Sequence, residues 1–104
     1  MHSNDIKTVN YGAVPNLLCP RCGANNLHHG ETVFYERPED AEKVTRIIVD
    51  EGNVHVQHGM PNTGNPSTRR DGMTIRFRCE QCQDPVWLTI AQHKGSTEIG
   101  WHFE

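Results

Sequence analysis

Apolar and polar residues alternate with a period of two through much of this chain, and that rhythm predicts strands. In ETVFYER, Thr32, Phe34 and Glu36 alternate with Val33, Tyr35 and Arg37, and Pro38 ends the strand. MTIRFRCEQC sets Ile75, Phe77 and Cys79 on one face and Thr74, Arg76 and Arg78 on the other. PVWLTIAQ and TEIGWHFE flank the turn HKGS and predict a closing hairpin with Val86, Leu88, Ile90 and Ile99, Trp101, Phe103 as two apolar stripes. Core packing accounts for most of the aromatic residues; Trp87 and Trp101 are expected to stack across that hairpin, the alternative being exposed stacking platforms for single-stranded nucleic acid.

Three stretches break the rhythm. Residues 1–16 are polar, show no period and end in a Pro15-Asn16 turn signal, so they are expected to form a flexible N-terminal arm. Residues 38–51 carry two signatures. Pro38, early acids, Ala41, Val44, Ile47 and Ile48 on one face and Gly52 beyond the end suit a helix. Against it, Val44, Thr45, Ile47, Ile48 and Val49 crowd β-branched side chains together, and a D-E-G-N turn leads into NVHV, which favours a hairpin. The segment Gly59 to Gly72 is all turn formers and is expected to be a long loop that need not be ordered.

The chain has 104 residues, enough for one domain, expected over 17–104 with an insertion at 30–72. Only 35% of the residues are hydrophobic, so the fold calls for a staple or for partial disorder. No apolar run exceeds three residues, which leaves no transmembrane helix or signal core to draw; the start MHSNDIKTVN points to the reducing cytoplasm and to cysteines kept as thiols. The formal net charge of −3 argues against wholesale attraction to nucleic acid or anionic lipid, so no membrane partner is expected.

All four cysteines fall in two Cys-x2-Cys pairs, Cys19-Pro20-Arg21-Cys22-Gly23 and Cys79-Glu80-Gln81-Cys82. Two intervening residues let both sulfurs of a pair reach one ion, and four thiolates complete a tetrahedral zinc site with no open position. One zinc per chain, held by Cys19, Cys22, Cys79 and Cys82, is the expected cofactor; iron, with rubredoxin-like electron transfer, is the lesser alternative, since the same donors hold either metal. A redox dithiol would leave the second pair idle. The second knuckle has Gln83 where the first has Gly23, which predicts a less regular turn. Fifty-six residues separate Cys22 from Cys79. Closing that loop costs about 3.6 kcal/mol apart from a constant, whereas structural zinc supplies roughly 10 to 16 kcal/mol, so the metal prevails.

With CPRCG, a strand-rich spacer and FRCEQC leading into a hairpin, the chain resembles the zinc-ribbon superfamily over its two knuckles and adjoining strands. It is also similar, from GNPSTRRDG through LTIAQHKGSTEIGW, to small uncharacterised bacterial and phage ribbon proteins. The resemblance implies a mainly β, antiparallel module with a β-rich insertion between the knuckles and the four cysteines as ligands. It implies no catalytic residue.

Other candidates are surface features. Arg69, Arg70, Arg76 and Arg78 give Thr68 to Arg78 a net charge of +3, and Lys94 is expected to approach the same surface, an anion- or partner-binding patch. Gly30 to Glu51 carries −4, and its acids could complement that patch in a homo-oligomer. His55 and His58, like His28 and His29, are spaced for opposite strand faces and make poor joint ligands. No nucleotide-cradling loop, nucleophile elbow or metalloprotease helix is present. The expected function is a zinc-stabilised, non-enzymatic binding or adaptor module for a protein partner, with nucleic-acid binding through the arginines as the alternative and a small-molecule substrate not expected.

Overall fold

The computed structural model describes residues 1–104 and contains strands and turns but no helix. In chain order the strands are β1 (His2–Ser3), β2 (Thr8–Tyr11), β3 (Val14–Leu17), β4 (Leu27–Glu36), β5 (Lys43–Asp50), β6 (Asn53–Pro61), β7 (Gly72–Cys79), β8 (Pro85–His93) and β9 (Ser96–His102). Seven form one sheet in the order β1-β9-β8-β7-β4-β5-β6, and β2 and β3 make a separate hairpin. Every pairing is antiparallel.

Local sequence explains the two long hairpins. At the β5–β6 turn Glu51 and Gly52 have φ of 48° and 81°, and at the β8–β9 turn Lys94 and Gly95 have 49° and 83°. Two successive left-handed residues make the turn whose twist matches the flanking strands, and glycine takes the second position without steric cost. The β-branched density of residues 44–49 thus resolves as a strand, not a helix.

Two expectations about irregular chain are corrected. Residues 1–16 carry β1, β2 and most of β3: His2 and Ser3 pair with His102 and Trp101, and the Met1 ammonium donates to the Phe103 carbonyl. The long loop shrinks to residues 62–71, because β6 runs to Pro61, and it is tied down. Ser67, 3% exposed, donates from Oγ to the Gln92 carbonyl (2.7 Å) and accepts from the Arg70 amide (2.9 Å). Asn65 Nδ2 donates to the Arg70 carbonyl at 2.9 Å, and its Oδ1 accepts from the Ser67 amide at 3.0 Å.

The core is small and split across the two sheet faces. On the metal side, Val86, Leu88 and Trp101 are buried, with Ile6, Leu17, Leu27, Ile75, Phe77 and Phe103 packed around them. On the loop side, Val33, Tyr35 and Val44 form the second cluster with Ile48 and Met60. Trp87 and Trp101 do not stack: the β8–β9 register puts Trp87 opposite His102 and Trp101 opposite Leu88, on opposite faces. Trp101 instead meets Phe77 edge-on, with centroids 5.9 Å apart.

Much of the metal-side face has no cover. Val56, Ile47, Phe34, Met73, Ile90 and Ile99 stand directly opposite one another across six neighbouring strands, and none is buried. The next row is Val54, Val49, Thr32, Ile75, Leu88 and Trp101, covered only at its β8–β9 end. Neither row contains a charged side chain; Arg46, Arg76 and Arg78 lie on the other face, whose parity they share. The Cα radius of gyration, 14.6 Å, exceeds the roughly 13 Å of a compact chain this long, as a sheet without a full second layer requires.

Candidate metal centre

Sheet pairing brings the two knuckles together. β4 leaves the first and β7 enters the second, and their register sets Leu27 opposite Cys79, while the Glu80 amide donates to the Asn26 carbonyl at 3.0 Å. The β5–β6 hairpin pairs on the outer side of β4, so the 56-residue separation is spanned by ladders, not open loop.

Both knuckles adopt one backbone form. The Gly23 amide donates to the Cys19 carbonyl and the Gln83 amide to the Cys79 carbonyl, each at 2.9 Å. Gly23 and Gln83 have φ of 78° and 62°, so the glutamine takes the same left-handed turn as the glycine and the second knuckle is as regular as the first.

The four sulfurs lie within 4.8 Å of one another, with Cys22 and Cys79 Sγ atoms 3.5 Å apart and those of Cys19 and Cys82 3.9 Å apart. A tetrahedron with metal–sulfur bonds of about 2.3 Å has edges of roughly 3.8 Å, so the donors fit one four-coordinate ion with little movement. Cys19 and Cys79 are buried, Cys82 is intermediate and Cys22 is exposed. Burial pushes the Cys19 thiol up to about 12, despite backbone amides that favour its thiolate. Cys79 sits at about 7: burial acts upward, but the amides of Cys82 and Gln81 and the neighbouring thiols of Cys22 and Cys82 outweigh it. Burial and the adjacent Cys79 raise Cys82. Burial thus opposes ionisation of Cys19 and Cys82, and a divalent ion is what would let the four sulfurs ionise side by side.

Arg21 joins the first knuckle to the closing hairpin, its guanidinium 5.3 Å from the Phe103 ring centroid. His28 Nε2 lies 2.8 Å from Glu80 Oε1, linking β4 to the second knuckle. Neither link is evident in sequence, since each depends on the β4–β7–β8 register.

The arginine patch does not form as one surface. Arg69 pairs with Glu39 (2.8 Å) and Asp40 (2.9 Å), and Arg70 with Glu39 (2.9 Å), so the acidic and basic segments meet within one chain. Arg76 and Arg78 project from the loop-side face of β7, opposite Trp87 and Pro85, with no carboxylate in ion-pair distance. Lys94 sits in the β8–β9 turn, at the other end of β8 from the Arg78–Pro85 pair. The histidines are also dispersed: His28 and His29 stand opposite Arg78 and Phe77, His55 opposite Ile48, and His58 Nδ1 lies 3.2 Å from Thr45 Oγ1.

The chain is thus an all-β antiparallel module with a four-cysteine cluster able to bind one metal ion. No protein-family model, curated protein or solved structure matches it.

Proposed function

We propose that this chain is a zinc-stapled, ribbon-like binding module that carries out no chemistry and offers the open metal-side face to a protein partner. The observation that carries the reading is the row Val56, Ile47, Phe34, Met73, Ile90, Ile99: six apolar residues side by side, none buried and none interrupted by a charge. Depletion of charge with retention of large apolar side chains marks the centre of protein interfaces, and a contiguous patch of this kind on a small chain is unusual unless something covers it. Zinc is the structural ion of this reading, on four thiolates that would also hold iron. Elemental analysis should find one zinc per chain, and colourless protein would dismiss iron.

The test is cross-linked capture in the native cell with the natural chain and with an Ile47→Glu, Ile99→Glu variant, both checked for metal content. A protein retained by the first and lost from the second supports the reading; no retained protein, or the same set with both, overturns it.

A second reading rests on Arg76 and Arg78, exposed and unpaired beside half-buried Trp87. Two cations next to an aromatic face are the elements of a single-strand nucleic-acid platform. Retention on single-stranded DNA or RNA at low salt, lost steeply as salt rises and lost in Arg76→Ala, Arg78→Ala, would favour it; no retention at low salt removes it.

A further inference from the structure

We infer that β6 is a self-association edge, along which two copies of this chain pair antiparallel about a two-fold axis. One side of β6 is bonded to β5 and the other has no neighbour. The opposite edge of the sheet, β1, is only two residues long, whereas β6 runs nine, from Asn53 to Pro61. Long sheet edges are normally guarded by lysines, inward charges or prolines. β6 has no Lys, Arg, Asp or Glu, its single proline is the last residue, and the register shift of its pairing with β5, between Gln57 and Met60, leaves Asn53 to Gln57 as a regular open edge. Val54 and Val56 on it are 61% and 52% exposed.

The hairpin register fixes which amides are free. Asp50 and Asn53 close the turn as a hydrogen-bonded pair, and bonded and non-bonded pairs alternate from there. Asn53, His55 and Gln57 therefore spend their N–H and C=O groups on β5, while Val54 and Val56 point theirs outward. A two-fold axis beside His55 sets Val54 of each copy opposite Val56 of the other, so the outward groups bond reciprocally. The valines then meet on the metal-side face, and its two apolar rows run on without a break into the second copy.

A second copy suits the charge around this edge, because its β6 opposes no carboxylate to the acidic turn and the nearest formal charge is a lysine. In that register the acidic turn Asp50-Glu51 of each copy lies along His58 and Gly59 of the other, with Lys43 one strand further in, where it faces Pro61. One strand pair and four valines bury less than the roughly 1,200 Å² of a standard interface, so the association is expected at micromolar concentrations.

The inference does not rest on the partner reading above, because it is measured on the isolated metal-loaded chain: a monomer would leave that reading standing. Sedimentation equilibrium from about 5 to about 500 µM should show the mass rising from 11.8 kDa towards twice that value. Amide exchange at Val54 and Val56 should slow as concentration rises, while His55 and Gln57 stay protected throughout. Val56→Pro removes one outward donor and leaves the β5 ladder intact, so it should abolish the mass increase with metal content unchanged. Val54→Lys, which guards the edge with a charge, should do the same and carries the test if the proline variant loses its metal. A chain that stays at 11.8 kDa throughout overturns the inference. So does a dimer that survives both substitutions, or one that forms without slowing the Val54 and Val56 amides.

Discussion

Gln83 shows how far the metal turn dictates backbone shape regardless of side chain. Its φ of 62° is where glycine would sit, and the first knuckle has Gly23 at that place with 78°. A left-handed residue with a Cβ costs roughly 1 to 2 kcal/mol, and the turn bond from the Gln83 amide to the Cys79 carbonyl holds it there. Gln83→Gly should therefore stabilise the metal-loaded chain by about 1 kcal/mol, less the entropy glycine adds to the unfolded chain, and denaturant melts with zinc in excess would read it. Ser67 is the opposite case, a small buried hydroxyl whose loss leaves several groups without partners. Ser67→Ala strips a bond from the Gln92 carbonyl and one from the Arg70 amide, and about 1 to 3 kcal/mol of destabilisation is expected in the same melts.

Among the elements, legibility followed how local the cause was. The strands from Thr32 to Glu36 and from Met73 to Cys79, and the β5–β6 and β8–β9 hairpins, are fixed by alternation and two-residue turns, all readable within about ten residues. The pairing of β1 with β9 joins the two ends of the chain, and nothing in His2-Ser3 announces it. The separation of Trp87 from Trp101 is legible locally, because a two-residue turn at Lys94-Gly95 fixes Trp87 opposite His102 and so puts Trp101 on the other face. The 62–71 loop is held by side-chain bonds to partners distant in sequence, including the Arg69–Asp40 pair. That pair predicts a local pH response. Hydrogen bonding from Arg69 holds the Asp40 carboxyl below its ordinary value of 3.8, so the clamp is complete above that pH and is lost as pH falls through the lowered value. The Asp40 amide, which donates to the Arg69 carbonyl, should exchange faster with solvent below that point and at any pH in Arg69→Ala. Because both side chains are solvent-exposed, the global melting midpoint should barely move.

For the whole molecule, a metal on the four cysteines is expected to decide whether the thin core holds. Twelve of 104 residues are buried, and each cluster has three buried members. Such a core offers little margin over chain entropy. The metal-side cluster grows straight out of the knuckles: Leu17 lies two residues before Cys19, Phe77 two before Cys79, and Leu27 stands opposite Cys79. Trp101, wholly buried, is the reporter at its centre, and a Trp87→Phe background makes it the only indole. Chelation at neutral pH should shift its emission to the red and flatten near-ultraviolet dichroism, and added zinc should restore both. Emission that stays blue after the metal is shown to be gone would mean that the ladders alone suffice and the staple is dispensable. Proton release offers an independent measure. With Cys19 pushed up to about 12 and Cys82 raised, zinc binding at pH 7 should expel at least about two protons. Calorimetry in buffers of different ionisation enthalpy counts them, and affinity should fall steadily on acidification, because each lost thiolate must be recovered from a proton before the ion can bind.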